Sequence, residues 1–191
     1  MALIEKTSAS HPIYVDFLPA DPAAGPGRIG LTIAPGKQAS GIDGQWRRDL
    51  DMDLARLRSE YDAGVLVSLC EPQELAFLKI AELHVRARAH GIAVEPFPYA
   101  DGGVPSALSE LAALLGRMSR AVEEGRTVVI HCRGGLGRSG TVASCALVAR
   151  GASPEEAIRV VRASRKGAVE NERQEEFVHR FADWHSSRQG R

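Results

Sequence analysis

The stretch Thr127 to Gly140, TVVIHCRGGLGRSG, constrains this chain more than any other. Its first half is an unbroken apolar, β-branched run, the composition of a strand buried on both faces. Glycines follow at 134, 135, 137 and 140, and the sequence TVASCALVAR after them reads as a helix running to Arg150. Strand, glycine-rich turn and helix make the opening of a βα unit, which packs into a parallel sheet with helices on its faces. Without side chains, such a turn lets successive backbone N–H groups face inward and form a concave anion site. The helix N-terminus behind it adds about half a positive charge.

Arg138, six residues after Cys132, closes this ring with a planar fork that matches two oxygens of a phosphate. The expected product is a dianion cradle formed by Arg133, Gly134, Gly135, Leu136, Gly137 and Arg138, with the sulfur of Cys132 at its floor. A free thiol is only a few per cent ionised at neutral pH, yet the thiolate is the nucleophile. The donors that hold phosphate also favour that thiolate. His131 is expected to hold the loop by hydrogen bonds, and Ser139 to donate to the sulfur as it leaves in a second step. The rival reading is a buried, inert cysteine after a strand. It leaves the His before Cys132, the Gly at +3, the Arg at +6 and the Ser at +7 as coincidence.

The rest of the chain supports a fold around this unit. Residues 13–18 and 28–33 read as strands of an N-terminal β-hairpin. Helical spacing spans 49–62, with Gly64 as a C-cap, and then VLVSLC at 65–70 reads as a buried strand. A helix is expected over 72–90, a strand over 92–98, a loop over 99–105 and a long helix over 106–124 ended by Gly125. Further helices fit 153–165 and 171–185. Strands alternating with helices imply an α/β fold, a mainly parallel central sheet flanked by helices. A single domain over 1–191 is expected, with 1–12 as a flexible N-terminal segment.

Composition narrows the function classes. Lys plus Arg equals Asp plus Glu, at 24 each, which excludes the broad basic field of a nucleic-acid binder. The three cysteines, Cys70, Cys132 and Cys145, form neither a disulfide framework nor a C-x-x-C zinc signature, so no metal or other cofactor is expected. No apolar run is long enough for a membrane segment. A cytoplasmic protein with reduced thiols is expected.

HCRGGLGRSG, together with YADGGVP and RIGLTIAPG, resembles the cysteine-dependent dual-specificity and protein tyrosine phosphatases. The closest resemblance is to their cyclin-dependent kinase inhibitor 3 (kinase-associated phosphatase) branch. The likeness covers roughly residues 28–181. It implies a protein tyrosine phosphatase-like fold and a metal-free phosphocysteine mechanism on phosphotyrosine and/or phosphoserine/threonine proteins. The partner is then a phosphorylated protein or a small phosphate ester. The alternatives are a phosphoinositide or other small-molecule phosphatase, a rhodanese-like sulfurtransferase and an inactive phosphate-binding scaffold. In that branch the partner is a cyclin-dependent kinase, but no residue here carries that over.

The family uses a general acid on a mobile loop some thirty residues before the cysteine. Asp101, 31 positions before Cys132 in Ala100-Asp101-Gly102-Gly103, fits that role, and Asp-Gly is also an ordinary turn signal. Both readings can hold together. The family also carries a polar residue in a late loop that positions water. Here Gln174 is the first candidate and Asn171 the second, and the same pair suits a helix capping box. Arg133 at the pocket mouth is either a solvated arginine or a feature favouring strongly anionic substrates such as phosphoinositides. Leu136 stands where lipid phosphatases of the superfamily often carry Lys, which favours a phosphoprotein. Cys70 ends a strand on the same sheet rim as Cys132. It is either a resolving thiol for oxidised Cys132 or a buried small hydrophobe.

Overall fold

The computed structural model describes residues 5–41 and 44–189. Along the chain run strands β1 (Glu5–Thr7), β2 (Asp16–Phe17), β3 (Arg28–Thr32), β4 (Gln38–Gly41) and β5 (Gly44–Arg47), then α1 (Leu50–Tyr61) and β6 (Ala63–Ser68). Helices α2 (Pro72–Phe77) and α3 (Leu83–Ala89), strand β7 (Ala93–Pro96), α4 (Leu108–Glu123) and β8 (Thr127–His131) follow. The chain continues through α5 (Gly137–Val148), α6 (Pro154–Ser164) and α7 (Glu172–Gln189).

The main sheet has the order β2-β3-β8-β6-β7, parallel throughout except for β2 at its edge. This is the α/β architecture expected from the alternation of strands and helices. β8 lies in the middle, where both of its faces are covered, and all five of its residues are buried. Its side chains alternate across the sheet. Val128 and Ile130 join the core under α4 to α7, while Val129 packs with Leu54, Leu57 and Leu83 from α1 and α3 on the other face. His131 ends the strand opposite Thr32 of β3 on one side and Ser68 of β6 on the other. Cys132 therefore emerges at the centre of the C-terminal rim, where parallel sheets place their sites.

Several expectations need correction. The first strand of the N-terminal hairpin shrinks to Asp16–Phe17, paired antiparallel with β3. Further out, Thr32 Oγ1 donates to the Tyr14 carbonyl in place of a ladder bond (2.7 Å). Helix α1 ends at Asp62, which takes the left-handed conformation itself (φ 49°), so Gly64 is not its cap and lies inside β6. The expected helix over 72–90 is broken into α2 and α3 by a turn with Lys79 at φ 58°. Leu78 and Ile80, at 0% and 2% exposure, would fall on opposite sides of a continuous helix, and the turn buries both.

A second sheet, β1-β5-β4, was not expected. It pairs β1 parallel to β5, so three residues of the segment 1–12, Glu5–Thr7, form a strand; residues 1–4 lie outside the described residues. Buried Arg48, just past β5, anchors this sheet to α1 through two bonds to Asp53 (2.7 and 2.8 Å). It also donates to the His11 carbonyl (2.7 Å). Among the described residues, no helix is long and apolar enough to cross a membrane.

Candidate active site

The turn between β8 and α5 wraps around Cys132. Gly135 adopts φ 70°, and a Cβ there would lie 2.1 Å from the Thr32 carbonyl oxygen, so only glycine fits. In this conformation its N–H donates to Cys132 Sγ at 3.2 Å. A Cβ on Gly137 would in turn strike Glu170 and Gln174, so the loop is pressed closely against residues 170–174. Arg165 braces the other side, donating to the Gly134 carbonyl (3.0 Å) and to Asp16 (2.6 Å).

His131 is fully buried, and its Nδ1 faces the Cys132 carbonyl at 3.3 Å. Burial pushes its pKa down to about 4, so the ring is neutral at physiological pH. Its Nε2 has no partner among the described residues. Ser139 is buried and its Oγ also has no partner, so it makes no bond to Sγ here and its donor capacity remains unspent.

Arg138 is almost fully buried and held by a bidentate pair with Glu74, Nη1 to Oε2 at 2.6 Å and Nη2 to Oε1 at 2.7 Å. Nη1 also donates to the carbonyls of Leu69 (3.1 Å) and Tyr99 (2.8 Å). Burial would pull the Arg138 pKa down, but the Glu74 bonds and the nearby Cys132, Cys70 and Asp101 raise it above its ordinary value. Burial alone would push the Glu74 carboxyl up. Its bond to Arg138, the Glu71 N–H and the charges of Arg138 and Arg133 outweigh that and hold it below the ordinary carboxylate value. The pair is thus ionised on both sides. Nε of Arg138 has no partner among the described residues.

The loop carrying Asp101 lies over Arg138. Asp101 Oδ1 stands 2.9 Å from Arg138 Nη2, with its side chain half exposed. Gly103 N donates back to the Ala100 carbonyl (2.9 Å), so Asp101-Gly102 forms a turn. Asn171 and Gln174 also serve two purposes. Asn171 Oδ1 accepts from the Gln174 N–H (3.0 Å) ahead of α7, which is the capping role. At the same time Asn171 Nδ2 donates to the Gly102 carbonyl (3.1 Å) and Gln174 Nε2 to the Gly103 carbonyl (3.4 Å).

The remaining sequence candidates lie around the rim. The Arg133 guanidinium sits over the exposed ring of Phe77, 5.4 Å from its centroid. Leu136 closes the loop by backbone, its carbonyl accepting from the Gly140 N–H (2.8 Å). Cys70 and Cys132 are both free and buried. They belong to cores on opposite faces of the sheet, and burial pushes the Cys70 thiol up to about 12.

The family model for cyclin-dependent kinase inhibitor 3 matches residues 4–158. The chain belongs to the cyclin-dependent kinase inhibitor 3 family. It is 30% identical over 175 residues to that inhibitor from Rattus norvegicus, spanning 90% of this chain and 80% of the relative. It is 30% identical over 112 residues to a probable protein tyrosine phosphatase type IVA A from Dictyostelium discoideum, spanning 58% and 62% respectively. A crystal structure of kinase-associated phosphatase with its catalytic-site cysteine replaced by serine superposes with a TM-score of 0.82 at 27% identity, over 92% of this chain and 97% of that one. The family and its protein tyrosine phosphatase-like fold thus agree with the likeness read from HCRGGLGRSG. The relatives place this family member among phosphatases of the dual-specificity and tyrosine class.

Two residues of the site escaped the sequence reading. Glu74 orients Arg138 from the first turn of α2. Its signal was positional, an acidic residue just past a strand that ends on the same rim as β8. Lys37 donates to the Arg133 carbonyl (3.4 Å). Burial and then the Arg133 charge lower its pKa, against the pull of Cys132, Cys70 and Asp101. It sits between β3 and β4, and nothing in its neighbourhood in the sequence marks it.

Proposed function

We propose that this chain is a cysteine-dependent phosphatase, one domain over 1–191, acting in the cytoplasm on phosphotyrosine and/or phosphoserine/threonine proteins. The observation that carries the reading is the convergence on Cys132. Its sulfur accepts the Gly135 N–H, and the Arg138 fork is aimed by Glu74 with Asp101 beside it. Cys132 Sγ attacks phosphorus and forms an S–P bond as the P–O bond to the alcohol or phenol breaks. Asp101 gives its proton to the leaving oxygen. Water then attacks phosphorus and passes a proton back to Asp101, while the S–P bond breaks and Ser139 donates to the departing thiolate. Loop N–H groups and Arg138 stabilise the equatorial oxygens in both steps. Arg138 Nη2 serves Asp101 or a phosphoryl oxygen, so substrate entry frees Asp101 to face the leaving group. Gln174, beside Gly137 and bonded to the acid loop, is placed to orient the water.

A phosphoprotein is favoured over a phosphoinositide because the Arg133 guanidinium lies over the Phe77 ring and Leu136 adds no charge to the loop. Purified protein assayed with p-nitrophenyl phosphate, a phosphopeptide panel, soluble phosphoinositides and thiosulfate tests the reading. Hydrolysis of the aryl phosphate in EDTA, with phosphopeptides preferred to phosphoinositides, is expected. Oxyanion binding without turnover would make the chain a scaffold, and sulfur transfer would make it a rhodanese-like enzyme.

A further inference from the structure

Beside the phosphate loop lies a groove of about 690 Å³ that the reaction above does not use. Its walls include Gly134 and Leu136 of that loop, so it opens directly from the edge of the cradle. Lys6, His11, Arg165 and Lys166 line it, together with the aromatic rings of Tyr14 and Trp46. Asp16 is the acidic residue of this lining, and it is committed to Arg165 at 2.6 Å. Arg48, also on the wall, is neutralised by Asp53. The charge balance is therefore positive, and it comes from Lys6 and Lys166.

The groove is built rather than incidental. Arg165, at 5% exposure, spends its guanidinium on Asp16 and Gly134, while its buried Nε has no partner among the described residues. Its cation also lies 5.4 Å from the Tyr14 ring centroid. Lys6 lies over Trp46 at 5.0 Å, held there by the β1–β5 pairing. Neither Lys6 nor Lys166 forms an ion pair among the described residues, so both are available to an anion. The size exceeds what one oxyanion fills and falls in the range of an organic ligand or a stretch of chain.

Resting on the phosphatase reading of the neighbouring site, we propose that this groove binds a second anionic side chain of a polypeptide substrate. That side chain is a phosphoresidue or a carboxylate close in sequence to the phosphoresidue being hydrolysed. Tyr14, Trp46 and the apolar side chains of Ile13 and Ile33 suit the intervening peptide better than a lipid headgroup. Lys6 and Lys166 supply charge-assisted contacts to the anion.

The test compares a monophosphorylated peptide with copies carrying a second phosphoserine two to four residues away on either side. Wild-type kcat/KM is expected to favour one doubly phosphorylated copy by about tenfold, as one or two charge-assisted hydrogen bonds provide. That preference should weaken with added salt. Lys6→Glu/Lys166→Glu should erase it and leave p-nitrophenyl phosphate turnover unchanged. Equal turnover of all the peptides by the wild type, or an equal loss on p-nitrophenyl phosphate in the variant, would overturn the proposal. So would a variant that loses only activity on phosphatidylinositol phosphate vesicles. Calorimetry of the same peptides on Cys132→Ser protein reads the groove without catalysis. Peptide discrimination there, in a wild type that hydrolyses no ester, would sink the phosphatase reading and keep the groove.

Discussion

Cys132 and Cys70 stand at the ends of neighbouring strands on one rim of one sheet, in register through His131 and Ser68. Each is buried, and each is followed by a helix. Their surroundings nevertheless differ in kind. After Cys132 the chain takes a glycine turn before α5, and that turn aims the Gly135 N–H at the sulfur. After Cys70 the chain enters α2 almost at once. Pro72 has no N–H to offer, and the Glu71 N–H is taken by the Glu74 carboxylate (2.9 Å). Cys70 packs into the core on the opposite face, where burial outweighs the pull of nearby Arg138 and, with Glu74, Cys132 and Asp101, drives its thiol up to about 12. A strand end supplies a location, and reactivity comes from the donors that the next few residues turn toward it.

The hardest test of that contrast is Cys132→Ser. Turnover of p-nitrophenyl phosphate should fall by on the order of 10³-fold or more, because a serine hydroxyl is a far weaker nucleophile than a cysteine sulfur. Tungstate binding, followed by calorimetry, should persist because the N–H cradle and Arg138 remain. Retention of more than a few per cent of the rate would remove Cys132 from the covalent step.

Asp101→Asn comes next, with an expected loss of roughly 10²-fold for alkyl and ordinary aryl phosphates. The loss should shrink as the leaving group becomes more acidic. An equal loss across leaving groups would mean that Asp101 acts only through its contact with Arg138. Glu74→Gln should cost about tenfold in kcat/KM, since it removes the charge partner of a buried cation and keeps its shape. That loss should not vary with the leaving group. Such independence separates the residue that aims Arg138 from the residue that supplies a proton.

The reading from sequence reached different depths in these two neighbouring regions. β8, its glycines, Arg138 and α5 were legible because strand, turn and helix signals follow one another without a gap. Asp101 was legible through its spacing once the loop had been recognised. Glu74 and Lys37 were not, because each reaches the site through the order of strands in the sheet, which local sequence does not encode. The β1-β5-β4 sheet was also missed. Its strands read EKT, QASG and GQWR, too short and too mixed to show a period of two. The turn within 72–90 carries neither glycine nor proline, and only the burial of Leu78 together with Ile80 demands it.

The smallest effect belongs to Cys70→Ala. The residue lies among Leu66, Leu75 and Leu78, so removing its sulfur should lower stability by about 1 kcal/mol and change kcat/KM by less than about twofold. Its value is in oxidation. Burial keeps the Cys70 thiol protonated, so under peroxide Cys132 should pass to the sulfenic acid while Cys70 stays reduced. A disulfide between them needs Cα atoms within about 7 Å and facing Cβ vectors, whereas the two side chains join cores on opposite sides of the sheet. Iodoacetamide at neutral pH should therefore label Cys132 in the folded protein and Cys70 only after denaturation. Peroxide-treated Cys70→Ala should recover with dithiothreitol to the same extent as the wild type. A Cys70–Cys132 peptide in non-reducing mass spectrometry, with recovery lost in Cys70→Ala, would show the reverse. The glycine turn would then swing far enough to carry Sγ across the sheet rim, and Cys70 would be the resolving thiol.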